Sequence, residues 1–314
     1  MGTGNVETDI EASMRGFTLI LWSILLEALP FVLLGTIISS LIQVFVTEDM
    51  ILQVLPKNNL LRLIFSALIG LIFPVCECAI IPITRGLMKK GMPTGPAIAF
   101  MLATPIINPI VLFSTYNAFT TLPIMMPLRA ACGFIGAVVI GALASRYAMG
   151  KSVLKEEKAP ACACSMHQSG VKRGKWETVK AVIAHTNAEL QSVGMYLIFG
   201  AVIAATMQMA VPTGVLMSIG NRRVLSIVVM IVLAFVLSLC SEADAFVANT
   251  FILQFSSASV LAFLIVGPMI DIKNTMMMLG SFNKRFTVRL IITILLVCFA
   301  LALIASFFLG GNYA

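Results

Sequence analysis

Glu77 stands between Cys76 and Cys78, with Pro74 and Pro82 bracketing the three, inside a long apolar stretch. Lipid hydrocarbon tolerates neither a bare charge nor a broken backbone, so such a segment must face protein, a water-filled cavity or a ligand. Thiolates suit soft centres such as Zn(II), Cu(I) and trivalent arsenic, while a carboxylate offers a proton or an oxygen ligand. Residues two apart on a helix diverge by about 200°. Both thiols therefore reach one ligand only where the backbone bends, and the prolines permit that. The plainer alternative is two small buried hydrophobes beside a carboxylate paired with a basic residue. Inserting a midplane carboxylate costs at least about 2.5 kcal/mol, which makes Glu77 harder to explain by packing than the thiols.

A second constellation holds Cys240, Ser241, Glu242 and Asp244. Two acids this close repel each other, which suits a proton-coupling site or a cation ligand. The alternative is a salt bridge to Arg85 or Lys273. Thr104-Pro105-Ile106-Ile107-Asn108-Pro109 reads as a helix interrupter, because two prolines strip amides and free carbonyls. Those carbonyls and the Asn108 side chain can hold a cation or a polar ligand. Gly267, Pro268, Asp271 and Asn274 repeat the theme, and a simple packing kink is the alternative for both. Cys162, Cys164 and His167 could capture a soft metal loosely. They lack zinc-finger spacing and a second cysteine pair, so an incidental linker is the competing explanation. Glu27, His185 and Glu189 are candidates for an access path or for interfacial positions.

The elements that must position these residues are membrane-spanning. Of 314 residues, 59% are hydrophobic and 11% charged, against roughly 25% charged in ordinary soluble domains. The mean hydropathy is +1.01. This is the composition of an all-α, polytopic integral membrane protein. The net charge of +7 reflects basic residues flanking apolar spans, not nucleic-acid binding. Residues 1–15 are polar and the first apolar run is too long for a cleavable signal. Seven cysteines, mostly within spans, do not form a disulfide framework. Apolar helices are expected at Phe17–Val46, Leu60–Val75, Cys76–Met88, Thr94–Phe119, Met125–Ala148, Ala188–Val211, Val224–Leu239, Cys240–Phe255, Ser259–Gly280 and Phe286–Leu309. Leu60–Val75 and Cys76–Met88 fall short of the roughly 20 residues a span needs. Together they form either one long broken helix or a re-entrant pair with its tip at Cys76–Cys78.

Two parts of the chain echo each other. Gly35 and Gly200 open similar stretches, as do Val75-Cys76-Glu77 and Leu239-Cys240-Ser241, and Thr104-Pro105 with Gly267-Pro268. The offsets are 165, 164 and 163 residues. An internal duplication keeps one spacing in this way, although apolar sequences also align easily. The expected organisation is a polar tail (1–16), a first transmembrane repeat (17–149), a basic cytoplasmic linker (150–181) and a second repeat (182–310). Each half holds about four or five helical segments with broken or re-entrant helices. Arg85, Lys89 and Lys90 match an uncharged turn at Gln254–Ser259, and the uncharged Thr120–Pro127 matches a turn bearing Lys284 and Arg285. Opposite charge at equivalent turns is the mark of inverted topology. Arg222 and Arg223 do not fit that pattern.

Phe73 to Pro82, with Gly86-Leu87-Met88-Lys89-Lys90-Gly91 and Ala99 to Pro109, resembles the predicted-permease family that includes the organoarsenical efflux permeases. The likeness covers most of the chain and is strongest over Phe73–Asn117. It implies a multi-spanning inner-membrane permease, and, from the characterised members, export of trivalent organoarsenicals with cysteine thiols involved. In those exporters the first motif runs Cys-Ser-Cys-Gly; here Glu77 and Ala79 take the second and last places. An acidic residue between the thiols favours a cationic ligand or proton coupling.

The expected function is that of a secondary permease moving a soft, thiol-seeking organoarsenical or metal species. Cys76, Glu77, Cys78, Cys240, Glu242 and Asp244 would contact the substrate, with Asn108 and Asp271 at the helix breaks formed by Pro74, Pro82, Pro105, Pro109 and Pro268. A divalent-metal permease using the carboxylates and a membrane subunit of a multi-protein complex are the alternatives. Besides lipid and substrate, the partners expected are a second membrane subunit or another copy of the chain. No cofactor is expected. No P-loop, G-x-S-x-G or H-E-x-x-H pattern points to ATP-driven transport or hydrolysis.

Overall fold

The computed structural model describes residues 3–45, 47, 50, 55–72, 75–148, 153–155, 175–210, 223–252 and 254–308. These residues form helices α1 (Thr3–Phe45), α2 (Asn59–Ile69), α3 (Glu77–Lys89), α4 (Thr94–Ile107), α5 (Pro109–Ala118), α6 (Met125–Ala148), α7 (Lys175–Ala210), α8 (Arg223–Leu237), α9 (Asp244–Thr250), α10 (Ser257–Met269), α11 (Ile272–Ser281) and α12 (Lys284–Phe308). The protein is all-α and multi-pass. Among the described residues, six helical stretches are long and apolar enough to cross a membrane.

Four of the six lie in the uninterrupted helices α1, α6, α7 and α12. The other two are composites. Thr94–Ala118 joins α4 to α5 and Ser257–Ser281 joins α10 to α11, each 25 residues, or about 37 Å of helix. Asn108 interrupts the first, and Ile270 and Asp271 interrupt the second. In each, the side chain at the break caps the helix on its C-terminal side. Asn108 Oδ1 accepts from the Ile110 amide at 3.0 Å, and Asp271 Oδ1 accepts from the Asn274 amide at 2.6 Å. Such caps offset the amides left unpaired at a new helix start. In their most apolar stretches the composites are 72% and 89% buried, against 17–39% for the other four spans. The broken helices are therefore the centre of the bundle.

The short helices form two hairpins beside them. Leu63 of α2 lies against Gly141 while Gly70 lies against Thr104, so α2 runs alongside α4 toward its break. With 11 residues it is about 16 Å long, half of a bilayer core. The chain turns at Val75 and Cys76, and α3 runs back out, packed on α1, α4 and α11. The pair is a hairpin with its tip at Cys76–Cys78; Pro74 lies outside the described residues. The second hairpin matches it. Ser226 of α8 meets Ser259 at the start of α10, and Ser238 meets Ile272 at the break. The chain then turns through Cys240–Ala243 into α9, which packs on α5 and α10. Ser238 makes that turn with φ at 46°, a conformation few non-glycine residues adopt. The helix expected over Cys240–Phe255 is therefore confined to α9, because its first residues form the turn.

The packing sets the direction of each hairpin. α3 and α11 both start at the centre and pack together, so the turns bearing Lys89 and Lys90 and bearing Lys284 and Arg285 emerge at one end, the basic end. α5 and α9 also start at the centre and pack together, and they emerge at the opposite end. α7 begins at Lys175, earlier than the apolar run suggests, because its first turns are polar. Two close approaches fix α1 and α7 on the centre. A Cβ at Gly35 would sit 2.7 Å from the Ala79 carbonyl oxygen, and one at Gly200 would sit 2.8 Å from Lys273 Cα. Only glycine admits backbone that close.

Candidate functional site

Helices α3, α5, α9 and α11 all begin at the meeting point of the hairpin tips and helix breaks. The residues that begin them are those singled out in the sequence. Glu77, Asn108, Asp244 and Asp271 are each 2% exposed or less.

The tips touch directly. Glu77 Oε2 accepts from the Ser241 hydroxyl at 3.1 Å and from the Ser241 amide at 3.4 Å. Lys273 Nζ, at the start of α11, stands 3.3 Å from Glu77 Oε1 and 3.5 Å from Asp271 Oδ2. It also donates to the Ser238 carbonyl at 3.0 Å. One ammonium is thus shared by two carboxylates and a carbonyl. On the other side, Arg129 Nη2 of α6 donates to Asp244 Oδ2 at 2.8 Å and to the Ser241 carbonyl at 3.2 Å, while its Nη1 donates to the Thr115 hydroxyl at 2.8 Å. Arg129 is fully buried. Asn108 Nδ2, Asp244 Oδ1 and Asn274 Oδ1 are buried with no hydrogen-bond partner among the described residues.

The thiols lie within this network. Cys76 is the extended residue before α3, and Cys78 is in its first turn. That change of backbone brings together side chains that a continuous helix would separate, and the two thiols lie within interaction range of each other. Lys273 lies within electrostatic range of Cys78 and Cys240. Glu242 is only partly buried, and its carbonyl accepts a short hydrogen bond from the Ser114 hydroxyl at 2.5 Å. Glu27 of α1 is exposed and lies within electrostatic range of Cys240 and Glu242.

The structure therefore gathers Cys76, Glu77, Cys78, Cys240, Asp244 and Asp271 around the two tips, with Glu242 at the edge. Asn108 caps a helix, and its carboxamide nitrogen is left over. Pro82, Pro105 and Pro268 lie inside helices, and Pro109 opens α5. Cys162, Cys164 and His167 lie outside the described residues. Among the described residues, no three His, Cys, Asp or Glu side chains converge closely enough to hold a metal ion. Asp244 pairs with Arg129, not with Arg85 or Lys273. Motif reasoning misses Arg129, although a lone arginine inside an apolar run is a signal in itself.

The buried charges are paired around the two hairpin tips, as ionisable groups at membrane depth are costly and face the bundle interior. Residues 13–307 match the family described as "Predicted permease" (ArsP_1). The chain belongs to that permease family. It is 45% identical over 284 residues to the "UPF0718 protein YcgR" of Bacillus subtilis, covering 90% of this chain and 95% of the relative. It is 42% identical over 284 residues to a Streptococcus mutans protein named "Putative two-component membrane permease complex subunit", covering 90% of this chain and 93% of that one. The "UPF0718 protein YraQ" of Escherichia coli is 26% identical over 114 residues, 36% of this chain and 32% of the relative. No solved structure matches the chain. The permease is a multi-pass protein of the cytoplasmic membrane.

Proposed function

We propose that this permease carries a small thiophilic species, a trivalent organoarsenical or a soft metal, by alternating access about the two hairpin tips. The observation that carries the reading is the thiol pair Cys76–Cys78 at a tip, within range of the Lys273 ammonium. With an organoarsenical R–As(OH)2, both thiols form As–S bonds and both As–O bonds break. The thiol protons leave with the hydroxyls as two waters, and no oxidant is needed. Glu77 and Asp271 would take and return protons as the cargo enters and leaves.

The two parts of the chain act in this reading as inverted repeats. The α2–α3 hairpin opens to the basic end and α8–α9 to the opposite end, and their tips meet halfway. The basic end would be cytoplasmic. Rocking one half against the other exposes the tips to each side in turn.

A second reading rests on the carboxylates. Glu27, Glu242 and Glu77 form an acidic approach to the centre and would attract a divalent cation. The two readings separate in inside-out vesicles assayed for uptake of a trivalent methylarsenical and of Zn(II). Arsenical uptake abolished by Cys76→Ser or Cys78→Ser supports thiol capture. Zn(II) uptake lost on Glu77→Gln, with the cysteine variants active, moves the chain to divalent-metal transport. The name of the Streptococcus mutans relative suggests that this chain too works with a second membrane component. In that case vesicles holding this chain alone would be inactive until the partner is supplied.

A further inference from the structure

The basic residues at the start of α12 are exposed, and they also line one side of a cavity. Lys284, Arg285 and Arg289 form one wall of a space of about 450 Å3. Tyr147 of α6, Phe286 and Val153 help to complete it, and no carboxylate is among its lining residues.

The walls are held in place. Residues 153–155 are pinned by two backbone hydrogen bonds: the Lys155 amide donates to the Ser281 carbonyl at 3.2 Å and the Asn283 amide to the Val153 carbonyl at 2.9 Å. The Tyr147 ring packs on Phe286 with centroids 5.7 Å apart, and Phe286 packs on Phe282 at 5.9 Å. Arg285 and Arg289 are one helical turn apart and share a face. The first turn of a 25-residue helix adds its positive dipole end. Basic residues that only set topology can splay into solvent. Here three cations share one concave wall, and among the described residues no carboxylate lines it.

We propose that this cavity binds a phosphate group, carried either by an anionic membrane lipid or by a soluble phosphate. The site goes beyond the transport reading and does not depend on it. Its apolar side, formed by Phe286 and Val153, suits a ligand at the membrane interface. Its position matters because α11 connects it to the centre: Ser281 and the linker lie at one end of that helix, Asp271 and Lys273 at the other. A bound phosphate would hold residues 153–155, α11 and α12 together.

The test is native mass spectrometry of the full chain in neutral detergent, titrated separately with phosphatidylglycerol, phosphatidylcholine and inorganic phosphate. Wild type is compared with Lys284→Ala, Arg285→Ala, Arg289→Ala and the triple variant, with melting temperatures recorded so that only folded variants are scored. The expected result is selective binding of one of the two phosphate sources, weakened about 5-fold for each cation removed. Phosphatidylglycerol retained in preference to phosphatidylcholine identifies a lipid site. Inorganic phosphate bound by wild type and lost from the variants identifies a soluble one. Equal binding of both lipids with no phosphate bound, or binding undiminished in folded single variants, overturns the proposal.

Discussion

The tip at Cys76–Cys78 and the tip at Cys240–Asp244 occupy matching places in the chain, yet they are held in different ways. Asp244 has one cation to itself. Arg129 reaches it at 2.8 Å and also grips Thr115 and the Ser241 carbonyl. Glu77 shares its cation with Asp271, at 3.3 Å and 3.5 Å respectively. In both cases the cation comes from the opposite part of the sequence. The arginine contact is a fork that orders one tip, whereas the lysine is a point charge on a flexible stem, shared between two acids. The second tip is clamped by a cation of its own, and the first, which carries two thiols, shares one.

The largest effect should come from undoing the clamp. Arg129→Met or Asp244→Leu alone leaves a buried, unpaired charge and should cost about 3–5 kcal/mol. The double variant should recover most of that loss. Denaturant unfolding in detergent micelles checks this, and two single variants as stable as wild type would remove the distinction between the tips. Next come the close approaches. Gly35→Ala and Gly200→Ala push α1 and α7 off Ala79 and Lys273 and should each cost about 1–3 kcal/mol, measurable as a lowered midpoint. The smallest effect is expected at the shared ammonium. Glu77→Gln leaves Lys273 with Asp271 and should cost only about 1 kcal/mol in unfolding experiments. A loss as large as that of Asp244→Leu would mean that both tips are clamped alike.

Much of this arrangement is legible in the sequence. The break at Asn108 follows from Pro109, which disfavours helix in the residue before it; Pro268 lies inside α10, so the break at Asp271 does not follow from proline. The ends of α6 fall where the apolar run ends. The sequence leaves two options for Cys76–Cys78, and the opposite directions in which α2 and α3 run along α4 decide for the hairpin. What stays hidden is mostly pairing. Asp244 and Arg129 are 115 residues apart, and nothing local says that they meet. The start of α7 is obscured because apolarity marks membrane depth, not helix ends. The second tip looks helical because residues 237–243, which make its turn, hold neither glycine nor proline. The closeness of the two thiols also needs the structure, since it depends on Cys76 being extended just before the first helical residue.

If Cys76 and Cys78 act together on one thiophilic cargo, the plainest evidence is intact-protein mass spectrometry after exposure to a trivalent methylarsenical. It should be run on the full chain carrying Cys162→Ser and Cys164→Ser, so that the linker thiols cannot contribute. Joint capture gives one arsenic bound through two thiols, mapped to Cys76 and Cys78, and no such adduct when both are serine. An adduct that survives the loss of both cysteines, or none at this tip in the folded protein, would show that the pair does not hold the cargo.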